Sequence, residues 1–175
     1  MNMNKKLLQG RKCVITGATG GLGKQIAIEF AKAGCNLFLI GRQNKKLQSL
    51  KDELKNINQK IEIYYKSTDL RKNNDLNELI STIRKQFSTI DILVNCAGNF
   101  PINPLSESTL EEYDSCMNLN VRAPFVLSKE FSKDMIKNKW GRIVNIASSS
   151  AHNGFKNAAV YCASKHALLG LSRTL

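Results

Sequence analysis

The sequence is short of acid. Its 175 residues carry 14 Asp and Glu against 26 Lys and Arg, a formal net charge of +12 at pH 7. It is also short of histidine, with only His152 and His166. That scarcity, and the absence of any Cys-x-x-Cys pair, argue against a structural zinc site and leave no metal ligand set to name. No apolar run exceeds a handful of residues, which excludes a membrane-spanning helix. The start of the chain, MNMNKKLL, turns polar again at Gln9-Gly10-Arg11-Lys12, so no signal peptide is expected there. The five cysteines, at 13, 35, 96, 116 and 162, are odd in number. Most sit inside apolar segments, which reads as reduced, buried thiols and a cytoplasmic location.

The hydrophobic share of 42% and the charged share of 23% suit one folded domain over residues 1–175. The charge is uneven, because residues 1–60 hold 12 basic and 3 acidic side chains. A basic half invites nucleic acid or a phosphate-bearing ligand. Lysine-rich, solvated helix faces account for the charge better, since lysine (19) far outnumbers arginine (7).

Short apolar runs alternate with amphipathic stretches. Strands are expected at 12–15, 37–40, 61–65, 92–94 and 143–146. Helices are expected at 22–33, 44–57 and 73–87. A long helix from a capping box at Ser108-Thr109-Leu110-Glu111 to about Lys137 should be kinked or interrupted by Pro124. A last helix starts near Ala158. This β-α alternation with continuous apolar strands predicts an α/β fold, a Rossmann-like doubly wound parallel sheet. Five strands are present where such folds have six or more, and the chain stops within a helix. It therefore reads as C-terminally incomplete.

Thr16-Gly17-Ala18-Thr19-Gly20-Gly21-Leu22-Gly23 joins the first strand to the first helix. Glycines there let the backbone turn tightly and approach a pyrophosphate, and the helix start beyond offers free N–H groups. The second strand ends at Ile40-Gly41-Arg42 with no acid at 40–43, where an NAD site usually places one for the ribose 2′-OH. Arg42, with Lys45 or Lys46, can meet a 2′-phosphate instead, which favours NADP(H) over NAD(H). Asp69, after the third strand, is placed to accept from an adenine amino group. An ordinary turn-capping aspartate is the alternative.

Tyr161 and Lys165 stand at i and i+4, on one helix face. A free tyrosine titrates near ~10, and a neighbouring ammonium favours its phenolate, so the pair can exchange a proton with an alcohol or alkoxide. Ser148, 13 residues upstream of Tyr161, can hold a substrate oxygen. Its choice over Ser149 and Ser150 rests on that spacing.

From about residue 8 onward the sequence resembles the short-chain dehydrogenase/reductase family. TGATGGLG at 16–23 matches the TGxxxGxG turn, Asp69-Leu70 the adenine-contacting position and YCASK at 161–165 the YxxxK pair. NCAG at 95–98 corresponds to NNAG, with Cys96 in place of the second asparagine. Asn120 matches the helix asparagine of the catalytic tetrad, and GRIVNIAS at 141–148 the strand leading to the serine. The resemblance implies hydride transfer between a nicotinamide and a carbonyl/alcohol pair. It assigns Tyr161 as general acid or base, Lys165 to the nicotinamide ribose and the tyrosine pKa, Ser148 to the substrate oxygen and Asn120 to a water in a proton relay. It assigns cofactor contacts to Thr16, Gly17, Thr19, Gly21, Leu22, Gly23, Arg42, Asp69, Leu70, Asn95, Ala97, Gly98, Tyr161 and Lys165. Within the family, GRIVNIASSSA and YCASKHALLGL look most like 3-oxoacyl-acyl-carrier-protein reductases of fatty acid biosynthesis. A basic surface suits an acidic carrier protein.

The implied partners are a small-molecule or acyl-carrier-bound carbonyl substrate, with a homodimer or homotetramer as the assembly. Sugar, steroid and hydroxy-acid dehydrogenases share these stretches, and a non-catalytic nucleotide-binding remnant would keep them too. No helix-turn-helix, zinc or aromatic-stacking motif supports specific nucleic-acid binding, and no membrane association is expected.

Overall fold

The computed structural model describes residues 7–175. The reading of the first eight residues as no signal peptide therefore falls mostly outside the described part. Five parallel strands form one sheet: β1 (Lys12–Thr16), β2 (Asn36–Gly41), β3 (Ile63–Ser67), β4 (Ile92–Asn95) and β5 (Arg142–Asn145). Their order is β3-β2-β1-β4-β5. Helices α1 (Gly21–Lys32), α2 (Asn44–Ile57), α3 (Asn73–Gln86), α4 (Leu110–Met117), α5 (Ala123–Lys137) and α6 (Ala159–Thr174) connect and flank them. This is the expected Rossmann-like doubly wound sheet.

The central strands β2, β1 and β4 are apolar on both faces because both are covered, whereas the edge strand β5 is partly open, with Val144 41% exposed. Cys13, Ile15, Leu37, Leu39 and Val94 join Ala27 and Ala31 of α1 and Leu47, Leu50 and Leu54 of α2. Val14, Phe38, Ile40 and Leu93 join Leu76, Leu79 and Ile83 of α3 and Leu127 and Phe131 of α5. The alternation of neighbouring residues between these two cores follows from the two-residue pleat. Below the sheet, Asp91 accepts from the Lys12 backbone N–H at 2.9 Å and from Arg11 at 3.0 Å. The Arg11 guanidinium lies 3.7 Å from the Trp140 ring centroid.

Three expectations shift. β3 begins at Ile63 rather than Ile61, and extends through the polar Lys66 and Ser67. As an edge strand it needs no apolar side chain at its end, and its register with Gly41 carries it there. The cap of α4 is Thr109, not Ser108. The Thr109 hydroxyl accepts from the Glu112 N–H at 3.1 Å, while the Glu112 carboxylate takes Asn103 instead. The long helix is interrupted ahead of Pro124, by a π-helical turn at Asn118–Arg122. Proline within the first turn of α5 has no intrahelical N–H to lose there. The turn places Asn120 inside the protein, 1% exposed.

All five cysteines are free thiols, and Cys13, Cys35, Cys116 and Cys162 are buried as expected, but Cys96 is only half-buried. Among the described residues no cluster of metal-binding side chains occurs, and no helix is long and apolar enough to cross a membrane.

Phe131 is fully buried while Phe125, on the same helix, is 50% exposed. Phe131→Ala should lower the unfolding free energy by ~3–5 kcal/mol, whereas Phe125→Ala should stay within ~0.5 kcal/mol, both read by urea denaturation.

Candidate active site

The strand order reverses between β1 and β4, and in open parallel sheets ligands bind outside the carboxyl ends of strands at such a point. Gly17 follows β1 with φ +66, a left-handed conformation that favours glycine. A Cβ on it would stand 2.8 Å from the Ala97 backbone, and one on Gly23 would stand 2.2 Å from the Gly17 carbonyl. The turn, the end of β4 and the start of α1 thus touch backbone to backbone. Gly20 caps α1 with no side-chain bond, and no acid stands in the first turn. The helix N-terminus is left open to an anion.

Two clefts meet over this turn. One, of about 340 Å³, is lined by Thr19, Arg42, Lys46, Thr68, Asp69, Leu70 and Arg71. The other, of about 300 Å³, is lined by Gly21, Leu22, Gly23, Phe100, Ile146, Tyr161 and Lys165. Gly17, Gly20, Cys96, Gly98 and Asn99 line both, so the two form one crevice across the switch point. Ala97 lines the first.

Thr16 and Asn95 stand behind the lining. The buried Thr16 hydroxyl accepts from the N–H groups of Cys96 at 3.0 Å and Ala97 at 3.1 Å, clipping the NCAG segment to β1. Asn95 donates to Asn145 at 2.8 Å, tying β4 to β5. The Asn120 amide is also committed. It accepts from the Asn99 N–H at 3.0 Å and donates to the Asn99 carbonyl and to the Ser164 hydroxyl, each at 3.0 Å. Its side chain therefore pins the loop after β4 onto α6, with one lone pair of Oδ1 still open.

Lys165 is 6% exposed. Its Nζ donates to the Ile146 carbonyl at 2.7 Å and lies 5.7 Å from the centroid of the Tyr161 ring. Burial pulls the ammonium pKa below its ordinary value, opposed by the thiols of Cys116 and Cys96. Burial in turn pushes the Cys96 thiol up, with Lys165 opposing. Ser148 caps a short turn at Ser149–Ala151, its oxygen accepting from the Ser150 N–H at 3.1 Å. Neither cleft takes Ser148 in its lining; its neighbours Ile146 and Ala147 line the second.

At the other end, Arg71 forms a fork with Asp69. Its Nη2 and Nε donate to the two carboxylate oxygens at 2.7 and 2.8 Å. The guanidinium holds the Asp69 carboxyl down, to about 2. Both earlier readings of Asp69 meet here, since it lines the cleft and also accepts from the Arg71 N–H within its own turn.

Residues 11–175 match the family model for "short chain dehydrogenase". The chain belongs to the short chain dehydrogenase family. A 3-oxoacyl-[acyl-carrier-protein] reductase of Rickettsia felis is 36% identical over 168 residues, covering 96% of this chain and 66% of its own length. The chain thus spans just under two thirds of that relative. A metagenomic short-chain oxidoreductase in complex with NADP superposes with a TM-score of 0.89 at 30% identity, covering 95% of this chain and 75% of that one. An NAD+-bound xylitol dehydrogenase reaches 0.87 at 27% identity, covering 95% and 64%.

Members of this short chain dehydrogenase family bind a nicotinamide dinucleotide, and the residues present fit that group. Glycines 17 and 23 keep the cradle open, and two buried polar atoms at the crevice, Thr68 Oγ1 and Asn99 Oδ1, lack a protein partner. Residue reading passed over Phe100 and Arg71. The Phe100 ring lies 4.3 Å from that of Tyr161, so the residue two past the NCAG segment walls the reactive end. The Asp-x-Arg spacing at 69–71 was the available signal for the fork.

Thr16→Val should cost ~1–3 kcal/mol by orphaning two backbone donors, read by urea denaturation. The depressed folded pKa of Asp69 makes its carboxylate stabilising above an unfolded value of ~3.9, a contribution lost as pH falls towards about 2. The stability gap between wild type and Asp69→Asn should accordingly be level above pH ~4 and close below it.

Proposed function

We propose that the protein is an NADP(H)-dependent oxidoreductase that interconverts a carbonyl and an alcohol, with a 3-oxoacyl thioester as its substrate class. The observation that carries this reading is the single crevice that joins the open N-terminus of α1 to the Tyr161–Lys165 pair. The cofactor, when bound, supplies or takes up the hydride.

Gly17, Thr19 and the first turn of α1 would hold its pyrophosphate, and Asp69 and Leu70 its adenine. Lys165 would bind the nicotinamide ribose, its ammonium already directed by the Ile146 carbonyl. Tyr161 would pass the proton to or from the substrate oxygen. Ser148 would orient that oxygen through its O–H, which stays free while one of its lone pairs takes the Ser150 N–H. Asn120 would act by fixing Asn99 and α6 relative to one another.

The preference for NADP(H) rests on charge. Arg42 and Lys46 line the first cleft, where the one acid, Asp69, is already paired with Arg71. The N-terminus of α2 has no side-chain cap and no acid in its first turn, so nothing there repels a 2′-phosphate. The thioester class rests on the likeness to the Rickettsia felis reductase. We place the protein in the cytoplasm as a homodimer or homotetramer, with the exposed Leu110 and Tyr113 of α4 in the contact.

Fluorescence titration should find NADPH bound more tightly than NADH, with the preference lost or reversed in Arg42→Asp. Equal affinities in the wild type would remove the 2′-phosphate reading. With an acetoacetyl thioester, Tyr161→Phe should lower kcat by ~10²–10⁴-fold while cofactor affinity is kept. An unchanged kcat would remove Tyr161 from the proton step.

A further inference from the structure

We propose that Arg71 is a specificity-positioning residue: it clamps the Asp69 carboxylate in one plane, so that the acceptor position it leaves free reads the exocyclic amino group of the cofactor's adenine. The inference rests on the cofactor reading above and adds to it a residue that acts through Asp69.

A carboxylate offers about four lone-pair positions. On Asp69 three are occupied by Arg71 alone. Oδ1 accepts from the Arg71 N–H at 3.1 Å and from its Nε at 2.8 Å, and Oδ2 accepts from its Nη2 at 2.7 Å. One acceptor position remains, on Oδ2. The guanidinium cannot swing freely, because its Nη1 donates to the Ser115 hydroxyl on α4 at 3.3 Å. The planar fork therefore fixes the carboxylate both from its own turn and from a neighbouring helix.

The cleft beside it is built for a polar ligand. Thr68 lines it, is 6% exposed, and its hydroxyl has no protein partner. An acceptor held in place next to a buried, unspent hydroxyl suits a heterocycle edge that presents a donor. Adenine presents an amino group there. Hypoxanthine presents a carbonyl oxygen, which would face the carboxylate lone pair unpaired. A fixed acceptor discriminates between the two, and a mobile one turns away and does not.

Lysine at position 71 would retain a charge without the fork. Arg71→Lys and Arg71→Gln are therefore expected to behave alike, which a purely coulombic role would not produce. The side chain is 39% exposed, so neither change buries an unpaired group.

The test titrates wild type, Arg71→Gln and Arg71→Lys with NADPH, NADH and the reduced hypoxanthine analogue of NADPH, following the nicotinamide fluorescence. The wild type should prefer adenine over hypoxanthine by about tenfold. Both variants should bring that ratio close to one while leaving the NADPH to NADH ratio unchanged. An adenine preference kept in both variants would overturn the proposal. So would a collapse of the NADPH to NADH ratio alone, which would put the guanidinium on a phosphate. Wild-type protein that binds NADPH without preferring adenine would overturn the proposal and leave the cofactor reading standing. Wild-type protein that binds none of the three would overturn both.

Discussion

The loop that leaves β4 is held from three sides, and each hold fixes one part of the crevice. The Thr16 hydroxyl takes the N–H groups of Cys96 and Ala97, which seats the loop against the end of β1. Gly17 comes so close to Ala97 that no side chain would fit between them. The Asn120 amide then closes a two-way bond with Asn99 and reaches Ser164 on the helix that carries Tyr161 and Lys165. Glycine turn, loop and reactive helix are thereby one connected body. The π-helical turn that buries Asn120 matters for the same reason, since an uninterrupted helix would not give the turn its local change of register.

Charge is graded along the crevice. One end has Arg42, Lys46 and the Asp69–Arg71 fork, all exposed or partly exposed. The reactive end has one cation, Lys165, nearly dry and directed at a carbonyl oxygen. Burial lowers its pKa because it disfavours the charged form, and no carboxylate is among the groups that shift it. An ammonium so placed is free of a neutralising ion pair and presents its charge to what enters the cleft. Cys96 shares this environment, lining both halves of the crevice where the resembling family has asparagine. The substitution leaves the Thr16 clip intact, because the clip uses the backbone N–H of residue 96.

Much of this was legible in the chain. Continuous apolar runs such as Leu37-Phe38-Leu39-Ile40 named the strands because they are buried on both faces. The glycine turn, Arg42, Asp69 and the Tyr161–Lys165 pair were legible because each lies next to a strand end or on one helix face. Positions that depend on long-range contact were not. Thr16 and Asn95 look like ligand-facing members of their motifs, yet the Thr16 hydroxyl and the Asn95 amide N–H are bonded to partners 78–81 and 50 positions away. The proline at 124 announced a break in the long helix. That the break is a π turn centred on Asn120 depends on contacts with Asn99 and Ser164, which no local pattern carries.

The central claim is that one crevice, floored by the loop after β4, binds a whole dinucleotide. Amide hydrogen exchange with and without saturating NADPH tests it most directly. The expected result is slowed exchange in four separate segments at once: 17–23, 41–46, 68–71 and 96–100, with the backs of α2 and α3 unchanged. Protection confined to one end, or absent from 96–100, would contradict a single crevice organised by that loop.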